Sequence, residues 1–218
     1  MASAVQNIGA YGAEAKDIIK EVRAVSIEDG SVRVFRNEEC QYGYRQSIFK
    51  NELKGKYVVT AVTYCLSKKE SPKLGYGTLQ ERVKSLGAVT QSNIRLAVAQ
   101  IRKEKLPDPA VLGNAGSFFM NPVISTELFE KIRSEYPEIP SYVAPQGFVK
   151  VPAGWLIEKS GWKGQSLGPA AVHDRQALVL VNRGGATGAD IKKLADTIIA
   201  DVKRKFDVQL CAEVNYIE

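Results

Sequence analysis

Histidine is almost missing from this sequence: His173 is the only one in 218 residues. One imidazole cannot supply a multi-histidine metal site. Its setting, AAVHDRQALVLVN, reads as a packed or loop histidine rather than one corner of a catalytic triad. Cysteine is scarce too. Cys40, Cys65 and Cys211 are scattered and odd in number, which fits neither a disulfide framework nor a CxxC metal site. They read as reduced thiols of a cytosolic protein. No apolar run approaches the roughly 20 residues of a membrane span. The opening MASAVQNIGAYGAE lacks the basic and apolar regions of a signal peptide. Repeats and low-complexity segments are absent, and no Lys/Arg block or interleaved aromatic platform accompanies the net charge of +6. That balance argues for anionic small molecules and against nucleic acid.

Three familiar chemical motifs are also lacking. NRGGATGAD (182–190) has no Lys-Ser/Thr of a P-loop and not the spacing of a dinucleotide fingerprint, so it reads as a strand-to-helix turn. GNAGSFFMNP (113–122) presents Ser117 without the GxSxG of an acylating elbow.

What is present has the composition of a globular protein, 44% hydrophobic and 25% charged, long enough for one large domain or two smaller ones. Residues 20–36 hold two β-rich runs joined by Asp29-Gly30, a hairpin signal. YVVTAVTYCL (57–66) reads as a buried strand. In 90–105, Ile94, Ala97, Val98 and Ile101 share a helical face behind a Thr90 cap. KLPDP (105–109) breaks that helix and is taken as a domain boundary. Beyond it the pattern gives a helix near 125–135, a strand near 147–151, a helix around 154–158 and a strand at 177–182. A long helix over 188–205 follows, with Thr187 and Asp190 at its start. VQLCAEVNYI (208–217) alternates as a last strand, with Glu213 on its polar side. Asn7 to Glu14 has the small, glycine-spaced texture of a loop lying against something large. The whole is α+β in two domains.

Taken in order, NIGAYG (7–12), YGYRQSIFK (42–50), KLPDP, GNAGSFF (113–119), NP (121–122), AGWLI (153–157), LGPAAVHDRQALVLVN (167–182) and AEV (212–214) resemble the UDP-N-acetylenolpyruvoylglucosamine reductase family. The pairing of GYR-S-IFK with GNAGSFF-NP is the specific part. The resemblance covers nearly the whole chain and the last two thirds of a family member. It implies a partial FAD-binding domain of the vanillyl-alcohol-oxidase/p-cresol-methylhydroxylase type over 1–105 and a separate α+β substrate-binding domain over 106–206. A strand over 207–218 would return to the flavin side.

The implied reaction is NADPH- and FAD-dependent reduction of UDP-N-acetylglucosamine enolpyruvate to UDP-N-acetylmuramate for peptidoglycan. Ser117 matches the proton donor to C2, and Arg45 and Glu213 match the pair that steadies the carboxylate. Tyr44, Tyr76, Lys105, Asn121, Tyr142, Lys163 and Gln176 match substrate-binding positions, Tyr76 and Tyr142 within a closing flap. Val5, Gln6, Asn7, Gly9, Ala10, Tyr11, Gly12 and Val59 match flavin-contacting ones. Met120 stands where some members carry lysine. The resemblance leaves out the family's N-terminal lobe, which grips the FAD pyrophosphate, so this chain alone is expected to hold FAD poorly and to be silent in turnover. The expected partner is the small-molecule substrate, with neither nucleic acid nor membrane, and the expected state is a cytoplasmic monomer. The alternatives are another FAD-linked oxidoreductase of the same superfamily and a non-catalytic UDP-sugar-binding module.

Overall fold

The computed structural model describes residues 2–217, and its contacts gather into two units, Met1–Ala99 and Gln100–Glu218. The first opens with a short helix α1 (Ala2–Gln6) and a two-residue hairpin, β1 (Gly9–Ala10) and β2 (Ala13–Glu14). An antiparallel sheet follows, ordered β4-β3-β5, from β3 (Ile19–Ser26), β4 (Val32–Arg36) and β5 (Tyr57–Tyr64). The Asp29-Gly30 hairpin forms as expected, with Gly30 at φ 72. Asp29 accepts from the backbone and hydroxyl of Ser31, which hold its carboxyl down to about 2.

Alternation puts Val22, Ala24 and Phe35 on one face, where they form a core with Ala4, Cys40 and Phe49. β5 departs from the buried strand read from its apolar run: Val58 and Tyr64 are 54% and 43% exposed. It lies at the sheet edge, and only Tyr57, Val59 and Val62 turn toward the core. A register shift opposite Arg23/Ala24 resets the alternation between Val59 and Val62. Helix α2 (Leu79–Ser85) precedes α3 (Gln91–Lys105), which Thr90 caps by accepting from the Asn93 amide. α3 ends where KLPDP begins, and the division into units falls earlier, inside that helix.

The second unit is built on an antiparallel sheet ordered β6-β11-β10-β9. Its strands are β6 (Asn114–Ser117), β9 (Ser166–Leu167), β10 (Ala170–Val172) and β11 (Val179–Asn182). A smaller hairpin pairs β7 (Val123–Ser125) with β8 (Phe148–Lys150). Helices α4 (Thr126–Glu135), α5 (Ala153–Lys159) and α6 (Gly188–Phe206) supply the rest of the core. Phe129, Leu156, Leu194 and Ile198 are buried there with Val172 and Leu180 of the sheet, each full burial contributing about 1.5–3 kcal/mol. Ala171, Val179 and Val181 on the opposite face pack against Leu106 and Leu112.

Residues 182–190 form a capped turn. Asn182 Oδ1 accepts from the amides of Gly184 and Ala186, and Thr187 and Asp190 make a reciprocal capping box. Such a cap is worth about 1 kcal/mol.

The end of the chain corrects the expectation of a regular strand over 208–217. Val208 and Leu210 are buried and Gln209 and Cys211 exposed, as alternation requires, but the period lapses at Ala212–Val214, all half-buried. A single bridge, Ala212 to Phe119, stands in place of a ladder. The reason lies in the partner segment: Pro122 has no N–H to donate and follows the short run 118–120. By its contacts this stretch belongs to the second unit.

Candidate functional site

In the first unit the residues of interest gather where loop 5–14 meets turn 43–47. Gly43 and Gln46 exchange two backbone hydrogen bonds of 3.1 Å, closing a two-residue turn over Tyr44 and Arg45. Arg45 has φ 56, a left-handed backbone that glycine normally supplies. Asn7 and Tyr11, at φ 45 and 52, share that conformation. Asparagine tolerates this backbone, but at Arg45 and Tyr11 it costs of order 1–3 kcal/mol each, and strain of this kind collects at functional sites. Side-chain bonds hold the conformation. Arg45 Nη2 donates to the Gly9 carbonyl at 2.7 Å, and Ser47 Oγ, fully buried, donates to the Val5 carbonyl at 2.6 Å.

The Arg45 guanidinium lies 5.2 Å from the Tyr44 ring centroid. Tyr76 packs edge-on against Tyr11 at 5.7 Å. A resemblance-derived substrate position thus touches a resemblance-derived cofactor position. Around them Ala10, Gly12 and Ala13 leave backbone bare at the surface, beside an exposed Ile8. That surface suits a flat aromatic group laid against backbone. Asn7 differs from its neighbours: its side chain is wholly inside. Val59 packs toward the core, so its backbone is what it can offer a ligand.

In the second unit Ser117 closes β6, exposed, directly after Gly116 at φ 72. The next three residues are gripped on both sides. On one, Phe118 N donates to the Leu178 carbonyl at 2.8 Å. On the other, Met120 N donates to Cys211 O at 2.9 Å and Glu213 N to Phe118 O at 2.8 Å. The backbone of Glu213 is thereby fixed opposite Phe118, the residue after Ser117.

The remaining positions are more dispersed. Asn121 Oδ1 accepts from the Ala153 amide at 2.9 Å and so caps α5. Gln176 Oε1 accepts from the Leu178 amide, and Lys163 pairs with Glu158 at 3.0 Å. Tyr142 pairs with Lys150 through a backbone bridge and a 5.7 Å ring–ammonium approach, while Lys105 is exposed at the end of α3. Sequence reasoning missed Lys150; its place in a β-rich run opposite a tyrosine gives a weak signal at best.

His173 is buried, with Nδ1 accepting from the Arg175 amide at 3.3 Å and Nε2 3.3 Å from Asp174. Burial lowers its pKa below the ordinary 6.5, against the opposing pull of Asp174. The unfolded chain then binds the proton more readily, so stability is complete above about pH 6.5 and falls as the pH drops below it. The urea midpoint should decline more steeply between pH 7.5 and 5 in the wild type than in His173→Gln. Parallel declines would remove His173 as the cause.

Residues 108–217, which carry this sheet and its closing edge, match the family model described as UDP-N-acetylenolpyruvoylglucosamine reductase, C-terminal domain. The class is therefore that of a reductase's C-terminal domain. The chain belongs to the UDP-N-acetylenolpyruvoylglucosamine reductase family. It is 52% identical over 216 residues to the UDP-N-acetylenolpyruvoylglucosamine reductase of Bacteroides fragilis, covering 99% of this chain and 65% of that protein. To the enzyme of the same name from Burkholderia orbicola it is 51% identical, covering 97% of this chain and 62% of that one. The chain thus spans a little under two thirds of the length of the curated relatives it matches. The crystal structure of UDP-N-acetylenolpyruvylglucosamine reductase from Thermus caldophilus shares the fold, with a TM-score of 0.58 at 22% identity over 98% of this chain and 58% of that one.

Proposed function

We propose that this chain serves the reduction of UDP-N-acetylglucosamine enolpyruvate to UDP-N-acetylmuramate, with NADPH as hydride source and FAD as carrier, in the cytoplasmic supply of peptidoglycan precursors. Family membership supports the activity. The observation that supports the roles is the backbone pairing of 118–120 with 211–213, which brings the segment that carries Glu213 next to the one that follows Ser117. The FAD-holding part is of the vanillyl-alcohol-oxidase type over 1–105, the substrate domain is 106–206, and 207–218 brings Glu213 to the reaction.

Bound FAD would supply the hydride chemistry between NADPH and C3 of the enolpyruvyl ether. Loop 5–12 offers it exposed small residues, Ala10 and Gly12, beside the Tyr11–Tyr76 pair, which fit a flat ring system. Hydride addition at C3 moves the double-bond electrons to C2 and onto the carboxylate oxygens. Arg45 binds that growing charge, for which a planar, preorganised guanidinium is suited. Ser117 gives its proton to C2, forming the new C–H bond. A hydroxyl can act as acid there because the developing carbanion is far more basic than the alkoxide left behind, provided the geometry is fixed beforehand. Glu213 joins Arg45 in steadying the same carboxylate. Tyr44, Tyr76, Lys105, Asn121, Tyr142, Lys163 and Gln176 hold the sugar nucleotide, whose pyrophosphate suits the positive balance of the chain.

A thermal-shift titration with enolpyruvyl-UDP-N-acetylglucosamine, and with UDP-N-acetylglucosamine as control, tests this reading. The enolpyruvyl compound should raise the melting temperature more, because only it carries the carboxylate to be recognised. Equal shifts would instead mean a bare UDP-sugar-binding module. Indifference to both would point to a different flavin-linked oxidoreductase.

A further inference from the structure

Asn7 sits in the loop that resemblance assigns to the flavin, yet it is 0% exposed and turned into the protein. Its amide is fully engaged. Nδ2 donates to the carbonyl of Gly43 at 2.7 Å and to Glu14 Oε2 at 3.1 Å, and Oδ1 accepts from the Lys16 amide at 3.0 Å. The Gly43 carbonyl is the first acceptor of the two-residue turn that carries Arg45, and it already accepts from the Gln46 amide. The backbone carbonyl of Asn7 faces Arg45 as well, 3.5 Å from Nη1, while the Gly9 carbonyl takes Nη2. Asn7 therefore meets Arg45 twice, through the turn below it and through the guanidinium above it. The space is tight: a Cβ on Gly9 would come within 3.2 Å of Arg45 Nη1 and 2.9 Å of Glu14 Cγ.

We propose that Asn7 is the positioning residue for Arg45, fixing the backbone turn and the guanidinium plane before substrate arrives. The inference rests on the reading of Arg45 as the group that binds the enolpyruvyl carboxylate. Asparagine suits the place because it tolerates the left-handed backbone. It also offers two donors and an acceptor to groups in three directions, whereas an aspartate could donate to neither Gly43 nor Glu14.

The test uses the protein with the family's N-terminal lobe and FAD, and compares Asn7→Gly, which keeps the backbone freedom and removes the side-chain bonds, with Asn7→Asp, which keeps the shape and loses the donors. Turnover of the enolpyruvyl substrate should fall by roughly 10²-fold, the scale of a small misplacement in an active site. Binding of UDP-N-acetylglucosamine, which has no carboxylate, should stay within about threefold of wild type, a change under 1 kcal/mol. In an Arg45→Lys background the same Asn7 changes should add little, since their target is gone. Full additivity, or equal loss of UDP-N-acetylglucosamine binding, would overturn the proposal.

A flavin-free readout separates this from the functional reading. The Arg45 guanidinium resonances in ¹⁵N spectra should show restricted rotation in the wild type and averaging in Asn7→Gly and Asn7→Asp. If the wild type, supplied with the family's N-terminal lobe and FAD, reduces nothing, the reading of the reaction fails and these spectra alone decide. Restriction that persists in both variants would overturn the positioning role.

Discussion

Ser117→Ala should abolish most turnover while leaving substrate binding intact. The hydroxyl stands exposed at the end of β6, one residue before a segment pinned on both sides, to Leu178 and to the 211–213 stretch. Removing it deletes no buried group and no backbone bond, so the fold should be untouched. What disappears is the proton destined for C2. General acid catalysis contributes typically 10²–10⁴-fold, and turnover should drop by about that factor. The thermal shift with the enolpyruvyl compound should match wild type, and Ser117→Cys should recover part of the loss. NADPH consumption under saturating substrate, in protein that carries the family's N-terminal lobe and FAD, measures the effect. A turnover within about threefold of wild type would mean that water or another residue supplies the proton.

Phe119→Ala should produce the largest loss of stability near the same site. Phe119 is 1% exposed and packs 5.1 Å from Phe118, and its backbone bridges to Ala212. Truncating a buried phenylalanine costs about 3–5 kcal/mol, because the transfer energy is lost and the cavity only partly closes. Against a total of roughly 5–15 kcal/mol, this removes a large share of the stability. Urea unfolding should show a markedly lower midpoint with little change in slope. Turnover should fall as well, even at temperatures where the variant stays folded, because the strand that joins Ser117 to Glu213 has lost its anchor. Unchanged unfolding would show that this part of the core repacks without cost.

The parts of the fold legible in the sequence were those written in local chemistry. Thr187 and Asp190 announce the start of α6, and the reciprocal cap is there. Asp29-Gly30 announces the hairpin, and Pro107 and Pro109 mark where α3 cannot continue. The apolar run over 57–66 was less informative, because composition does not reveal that β5 lies at an edge with only one face covered. Nor could alternation show that the final stretch makes one bridge rather than a ladder, since that depends on a partner segment distant in sequence.

The candidate residues were named through resemblance, and their arrangement lay beyond the sequence for a similar reason. Nothing in NIGAYG marks Asn7 as pointing inward while its neighbours point out. The strained backbone of Arg45 is visible only once the turn around it has been closed. Gln176 and Asn121 illustrate the converse, since one accepts from an amide two residues on and the other from an amide 32 residues on, neither of which sequence alone reveals.

The pairing of 118–120 with 211–213 also has a bearing on the order in which the molecule assembles. It joins segments separated by most of the second unit, so its loop-closure entropy is met only after the intervening sheet and helices have shortened the path between them. Its two sides are also tied into the core, through Phe118 and Phe119 on one and Val208 and Leu210 on the other, so it opens together with that core rather than before it. The segment that carries Glu213 is therefore delivered late in folding yet held as firmly as the core itself. Amide exchange at Met120 and Glu213 should run at the rate of the second unit's slowest amides.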